Sequence, residues 1–184
     1  MKSSMRFVTF LATLIFSITL ADANQQVLLR VQWQQLELQN AFLKPHEKLQ
    51  RVQDLSAFIA VQSMENTHVG KTPYQVFKTG TANEAELAFA KWMMYVDLGF
   101  DPEQFRLIYL QQQESQESRV WLAMYDSQDS KIITTNQIVD QDELNTILLT
   151  EKLDIISVMD PNLILNSRIN KRQTEDQLQD TMFL

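Results

Sequence analysis

A chain of 184 residues with 45% hydrophobic content can bury one sizeable core but hardly two, so a single domain is expected. The formal net charge of -7 and the absence of any basic run disfavour a general attraction to nucleic acid or anionic lipid. There is no cysteine, which excludes disulfides, thiolate metal sites and a thiol nucleophile together.

The chain opens with two cations, Lys2 and Arg6, an apolar stretch from Phe7 to Leu20, and the small-residue triplet Ala21-Asp22-Ala23. This predicts a signal peptide over residues 1–23. The alternative, a membrane anchor, needs ~20 apolar residues, more than the stretch supplies. A periplasmic or secreted protein, free of the membrane after cleavage, is expected.

A Gln-rich stretch follows, with Val27, Val31, Leu36 and Leu38 among polar neighbours. Next comes a segment from Glu47 to Gln62, opened by Pro45, in which Leu49, Val52, Leu55, Phe58 and Ile59 recur at helical spacing. Both predict amphipathic helices. Thr72-Pro73 marks another helix start, with the segment ending at Gly80. Thr81-Ala82-Asn83-Glu84 has the spacing of a capping box. It predicts a central helix to about Leu98, stopped by Gly99 and apolar nearly all round, from Leu87 and Phe89 to Trp92, Met94 and Val96.

The period then changes. Phe105 to Leu110 and Val120 to Tyr125 predict two strands, the second buried on both faces. After a turn cluster at residues 126–130, the Ile and Thr content of Lys131 to Val139 predicts a third, forming an antiparallel hairpin with the second. A helix over Glu143 to Leu149 and a strand over Leu153 to Met159 follow, ended by Asp160-Pro161. Helices precede strands, so the class is α+β: one domain over residues 24–165 and a polar tail over 166–184.

Catalytic signals are sparse. His46 and His68 lie in polar surroundings with no second ligand at metal spacing. Carboxylates cluster at Glu84 and Glu86 and at Asp140, Asp142 and Glu143, a pattern that solvated faces and helix starts also produce. No glycine-rich phosphate loop, dinucleotide turn or G-x-S-x-G is present, and no cofactor is expected.

The order of segments carries more information. Glu47-Lys48-Leu49, Thr72-Pro73, Gly80, Glu86-Leu87-Ala88-Phe89-Ala90-Lys91, Leu98-Gly99 and Leu107-Ile108-Tyr109 together resemble the bacterial transglutaminase-like cysteine peptidases, the LapG-type periplasmic proteases that release cell-surface adhesins. The resemblance implies a papain-like, transglutaminase-type fold with N-terminal helices and a central helix packed on an antiparallel sheet. Active members carry Asp-Cys-Glu-Asp-Tyr-x-x-Ala-Lys at the start of the central helix, where this chain has Asn83-Glu84-Ala85-Glu86-Leu87-Ala88-Phe89-Ala90-Lys91. Glu84 therefore stands at the nucleophile's position. By the same correspondence Arg119 stands for the histidine and Thr135 for the aspartate.

The resemblance thus implies a degenerate member, not an enzyme. An ionised carboxylate at a helix N-terminus is a poor nucleophile toward an amide, and no imidazole remains to carry a proton. Two arrangements stay open: Glu84 and Arg119 pair across the former site, or Glu84 completes the capping box while Arg119 faces solvent. The family's calcium patch shrinks here to Asn83, Ala85 and Glu86, so weak calcium binding through Asn83 and Glu86, or none, is expected. Val69-Gly70-Lys71 replaces the segment whose aromatic residue precedes the family's Ala-Thr-Pro.

The leading expectation is a pseudo-enzyme that binds a protein, an adhesin or an inner-membrane regulator, through a groove containing Glu84, Arg119, Trp121, Tyr125, Thr135 and Asn136. The alternatives are a hydrolase using Glu84 or Glu86 as base, and a structural envelope component whose Gln-rich helices contact neighbours.

Overall fold

A computed structural model describes residues 27–62, 70–115, 117–126 and 130–167. The predicted signal peptide, His68, most of the 126–130 turn and nearly all of the predicted tail lie outside the described residues.

Residues 27–39 form helix α1, which turns through a short 3-10 segment at Asn40–Phe42 into α2, Pro45–Ser56. Pro45 fixes the first turn of α2, and the Glu47 side chain accepts from the Lys44 amide at 2.7 Å. The helix ends six residues before the predicted Gln62. Phe58 and Ile59 instead lead into a two-residue strand β1, Ala60–Val61, which pairs in parallel with β2, Thr81–Ala82. Between them lies α3, Pro73–Thr79, capped by Thr72 and closed by Gly80 at φ 65°, a left-handed conformation that glycine adopts without strain.

Helix α4, Glu84–Asp97, is the central helix, and it stops where predicted, with Gly99 at φ 88°. Its cap is displaced from the predicted one. Thr81 is taken up by β2, so Asn83 becomes the cap: its side chain accepts from the Glu86 amide at 2.8 Å, and Glu86 accepts from the Asn83 amide at 3.0 Å. This shift of two residues frees the Glu84 side chain.

The sheet contains β3 (Phe105–Gln112), β4 (Ser118–Met124), β5 (Lys131–Ile133), β6 (Ile138–Val139) and β7 (Leu153–Met159). All neighbours are antiparallel, in the order β6-β5-β4-β3-β7. The predicted single strand over Lys131 to Val139 is two. The Thr134 hydroxyl accepts from the amides of Asn136 and Gln137, a local bond set that competes with strand pairing and folds the chain back on itself.

On one face of the sheet, Leu107, Val120, Leu122 and Ile133 meet α4, with Tyr95 stacked on Phe105 at 5.5 Å. On the other, α5 (Gln141–Thr150, capped by Asp140) covers Trp121, Ile132 and Leu153. Strand β7 is an edge: Asp154 to Val158 are all exposed, and a register shift between Tyr109 and Leu110 puts a bulge at Ile156. Residues 161–167 are helical (α6), so the chain stays regular past Asp160-Pro161 and across the predicted tail boundary.

Candidate functional site

The centre of the site is the junction between the N-terminus of α4 and the open end of β4. Strand β5 pairs with β4 only from Leu122 to Met124, because the chain turns away at Thr134. Glu84, the first residue of α4, fills the vacancy. Its carboxylate accepts from the Val120 amide at 3.0 Å and from the Thr135 hydroxyl at 3.2 Å, and lies 3.7 Å from the Arg119 guanidinium. The three positions Glu84, Arg119 and Thr135, from three separate elements, thus converge. Of the two open arrangements, the structure has the first: Glu84 pairs with Arg119, and the cap belongs to Asn83 and Glu86. At 3.7 Å the pair is an ion contact, and the hydrogen bonds come from Val120 and Thr135. The Glu84 side chain keeps 17% of its surface exposed and Arg119 keeps 37%, so solvent screens their attraction.

Beneath this junction lies Lys91, 1% exposed. Its ammonium donates to the side-chain oxygen of Gln53 at 2.9 Å and to the carbonyl oxygens of Thr134 and Thr135 at 2.8 and 3.0 Å. These bonds fix the turn that carries Thr135. Burial pushes the Lys91 pKa down from 10.5 to about 7, with the Glu84 charge pulling the other way. Sequence reasoning passed over Lys91 as a site residue. Its signal was a lysine on the apolar run of α4 one turn below Ala88, where a cation needs partners.

The remaining predicted residues divide. Arg119, Trp121, Thr135 and Asn136 line one shallow depression of about 210 Å³, closed on its far side by Ile147 of α5 and by Glu151, the residue that follows the helix. Glu84 lines the adjacent recess with Lys91 and Val120, which holds no free volume. Trp121 contributes an edge only, being 3% exposed under α5. Tyr125 does not join them. It follows the opposite end of β4 from Arg119, with its amide bonded to Gln104, so the strand's length separates the two. His46 is exposed on α2 and takes no part in this junction.

The calcium candidates are occupied by the protein itself. Asn83 Oδ1 accepts from the Glu86 amide, Glu86 Oε2 from the Asn83 amide and Glu86 Oε1 from the Lys71 amide at 2.7 Å. Calcium takes six to eight oxygens, and among the described residues no group of three or more metal-ligating side chains occurs. The donor set does not fit the ion.

No family model matches the sequence, and no curated protein matches it. Three solved structures of LapG from Legionella pneumophila are similar in fold. The calcium-bound form aligns with a TM-score of 0.57 at 15% identity, over 69% of this chain and 71% of that one. A second LapG structure gives 0.55 at 14% identity over 66% and 76%, and the EGTA-treated form 0.53 at 15% over 66% and 75%. At these identities the likeness establishes the fold alone. It is a mixed fold of helices and antiparallel sheet shared with LapG, the α+β class that the sequence predicted.

Proposed function

We propose that the chain is a catalytically silent relative of the LapG-type peptidases, exported from the cytoplasm, and that it binds a protein partner through the depression beside its former catalytic centre. The observation that carries this reading is the position of Glu84. It stands where the resemblance puts the nucleophile, and its carboxylate is held by the Val120 amide, the Thr135 hydroxyl and the Arg119 charge. A carboxylate so satisfied is a weak nucleophile, and among the described residues no imidazole lies beside it to move a proton. Glu86 is no better placed as a base, since both its oxygens accept backbone amides. What remains is a polar surface of Arg119, Thr135, Asn136 and Gln137 beside the edge of Trp121, a mixture suited to recognition of a peptide or loop of an adhesin or of an inner-membrane regulator.

A second reading, a structural envelope component, has one observation in its favour. On α1 and the 3-10 segment after it, Leu38 and Phe42, four residues apart, are 80% and 88% exposed, two apolar side chains that a neighbouring protein could cover.

The test uses the chain from residue 24 in a pull-down from envelope extract of the source organism, alongside Arg119→Ala and Asn136→Ala variants, with cleavage of captured proteins followed by gel. Capture lost in both variants without cleavage supports the groove reading. Capture retained in both but lost in Leu38→Ser with Phe42→Ser supports the structural one. Cleavage by the unmodified chain would overturn silence.

A further inference from the structure

On the flank of α4 away from Glu84, the first, third and fourth helices line a half-open cavity of about 420 Å³. That is within the range of small-ligand sites. Helix α1 supplies Arg30, Trp33 and Glu37, which recur on one face at helical spacing. Trp33 stacks against Phe77 of α3 at 6.4 Å, and Met93 and Met94 of α4 form an adaptable wall. The lining is mainly apolar, with charges confined to a few positions.

Those charges are not balanced. Arg30 keeps its charge but is turned to Tyr74, its guanidinium 5.2 Å over that ring and bonded to the hydroxyl at 2.9 Å, so the lining carries one cation against two carboxylates. Asp97, at the C-terminal end of α4, and Glu37 also line the cavity, and no cation among the described residues pairs with either. Asp97 also sits at the negative end of the helix dipole, an unfavourable place for a carboxylate. Asp97 and Glu37 are both open to water at the rim, and partial desolvation still holds the Asp97 pKa above its ordinary value. Aromatic faces attract cations for a second, independent reason, their ring quadrupole.

We infer that this cavity binds a cation on an apolar stem, a primary ammonium or guanidinium whose stem lies against Trp33, Phe77 and the methionines while its charge meets Asp97 and Glu37. Two sources share that chemistry, a free amine and a lysine or arginine side chain of a peptide.

Tryptophan fluorescence reports on this cavity selectively, because Trp92 and Trp121 are 1% and 3% exposed whereas Trp33 lines it. The chain from residue 24 is titrated with phenethylamine, with phenethyl alcohol as the neutral counterpart, and with acetyl-leucyl-lysyl-leucine amide. Saturable binding of either cationic probe, at least about fivefold tighter than the alcohol and weakened by about the same factor in Asp97→Asn, supports the site. That factor is about the most that one solvent-exposed ion pair supplies. The tighter of the two cationic probes identifies the source. Equal affinity for amine and alcohol, an unchanged constant in Asp97→Asn, or no saturable response to any probe overturns the inference. Ser157→Ala, exposed on the edge strand β7 and outside both surfaces, serves as the folded control and should titrate as the unmodified chain does.

Discussion

Replacing Lys91 with methionine tests the energetic reading of the buried junction. In the folded chain the Lys91 pKa falls to about 7 from its ordinary 10.5, so between those values the unfolded chain carries a proton that the folded one lacks. Stability therefore rises with pH across that window, and the full penalty applies below pH 7. At 1.36 kcal/mol per unit the shift corresponds to a penalty of about 5 kcal/mol at low pH, relaxing by roughly 3 kcal/mol between pH 6 and pH 9. The methionine removes this titration, while leaving the carbonyl oxygens of Thr134 and Thr135 and the Gln53 amide without their shared donor. The difference in urea unfolding free energy between unmodified chain and variant should then change by roughly 3 kcal/mol from pH 6 to pH 9, the unmodified chain gaining as pH rises. Other groups titrate equally in both proteins and cancel. A difference constant across the range would refute the reasoning, because it would mean that three acceptor bonds hold the ammonium charged and outweigh its desolvation.

Glu84→Ala leaves the Val120 amide and the Thr135 hydroxyl without their acceptor and should cost about 2 kcal/mol in urea unfolding, with Glu84→Gln losing less because an oxygen acceptor remains. Asn83→Ala removes the observed cap of α4 and should cost about 1 kcal/mol. Thr81→Ala, in the box expected from sequence, should cost less, and the reverse order would favour the sequence-derived cap. Trp121→Ala should destabilise by about 3–5 kcal/mol, since the ring is buried under α5. Asn136→Ala, exposed on its turn, should stay within about 0.5 kcal/mol of the unmodified chain, which makes it the cleaner probe of binding.

The strongly periodic elements were legible because one force dominated each. The apolar run of α4 and the alternation of β4 both report burial directly, and Gly80 and Gly99 stop helices where positive φ is needed. The cap of α4 was misplaced because Thr81 had two uses, and pairing with Ala60, twenty-one residues upstream, decided between them. No local rule contains that contact. The break at Thr134 had the same origin in miniature: isoleucine and threonine favour strands, yet a threonine hydroxyl can also close a turn. Glu84, Arg119 and Thr135 were placed together only through the resemblance, since their convergence depends on three separate elements. Tyr125 was assigned to the groove for its chemistry without regard to the length of β4 between it and Arg119.

Strand β7 sets the order in which the molecule comes apart. Among the described residues it is hydrogen-bonded along one side only, its five central residues are open to water, and its pairing with β3 is interrupted at Ile156. Amide hydrogens of Ile155 to Val158 should therefore exchange through local opening well before those of β4, which has neighbours on both sides. Peeling of β7 would free the outer backbone edge of β3 while the α4–β4 junction stays closed. The polar surface at Arg119 and Asn136 would then outlast the sheet's own edge during early unfolding.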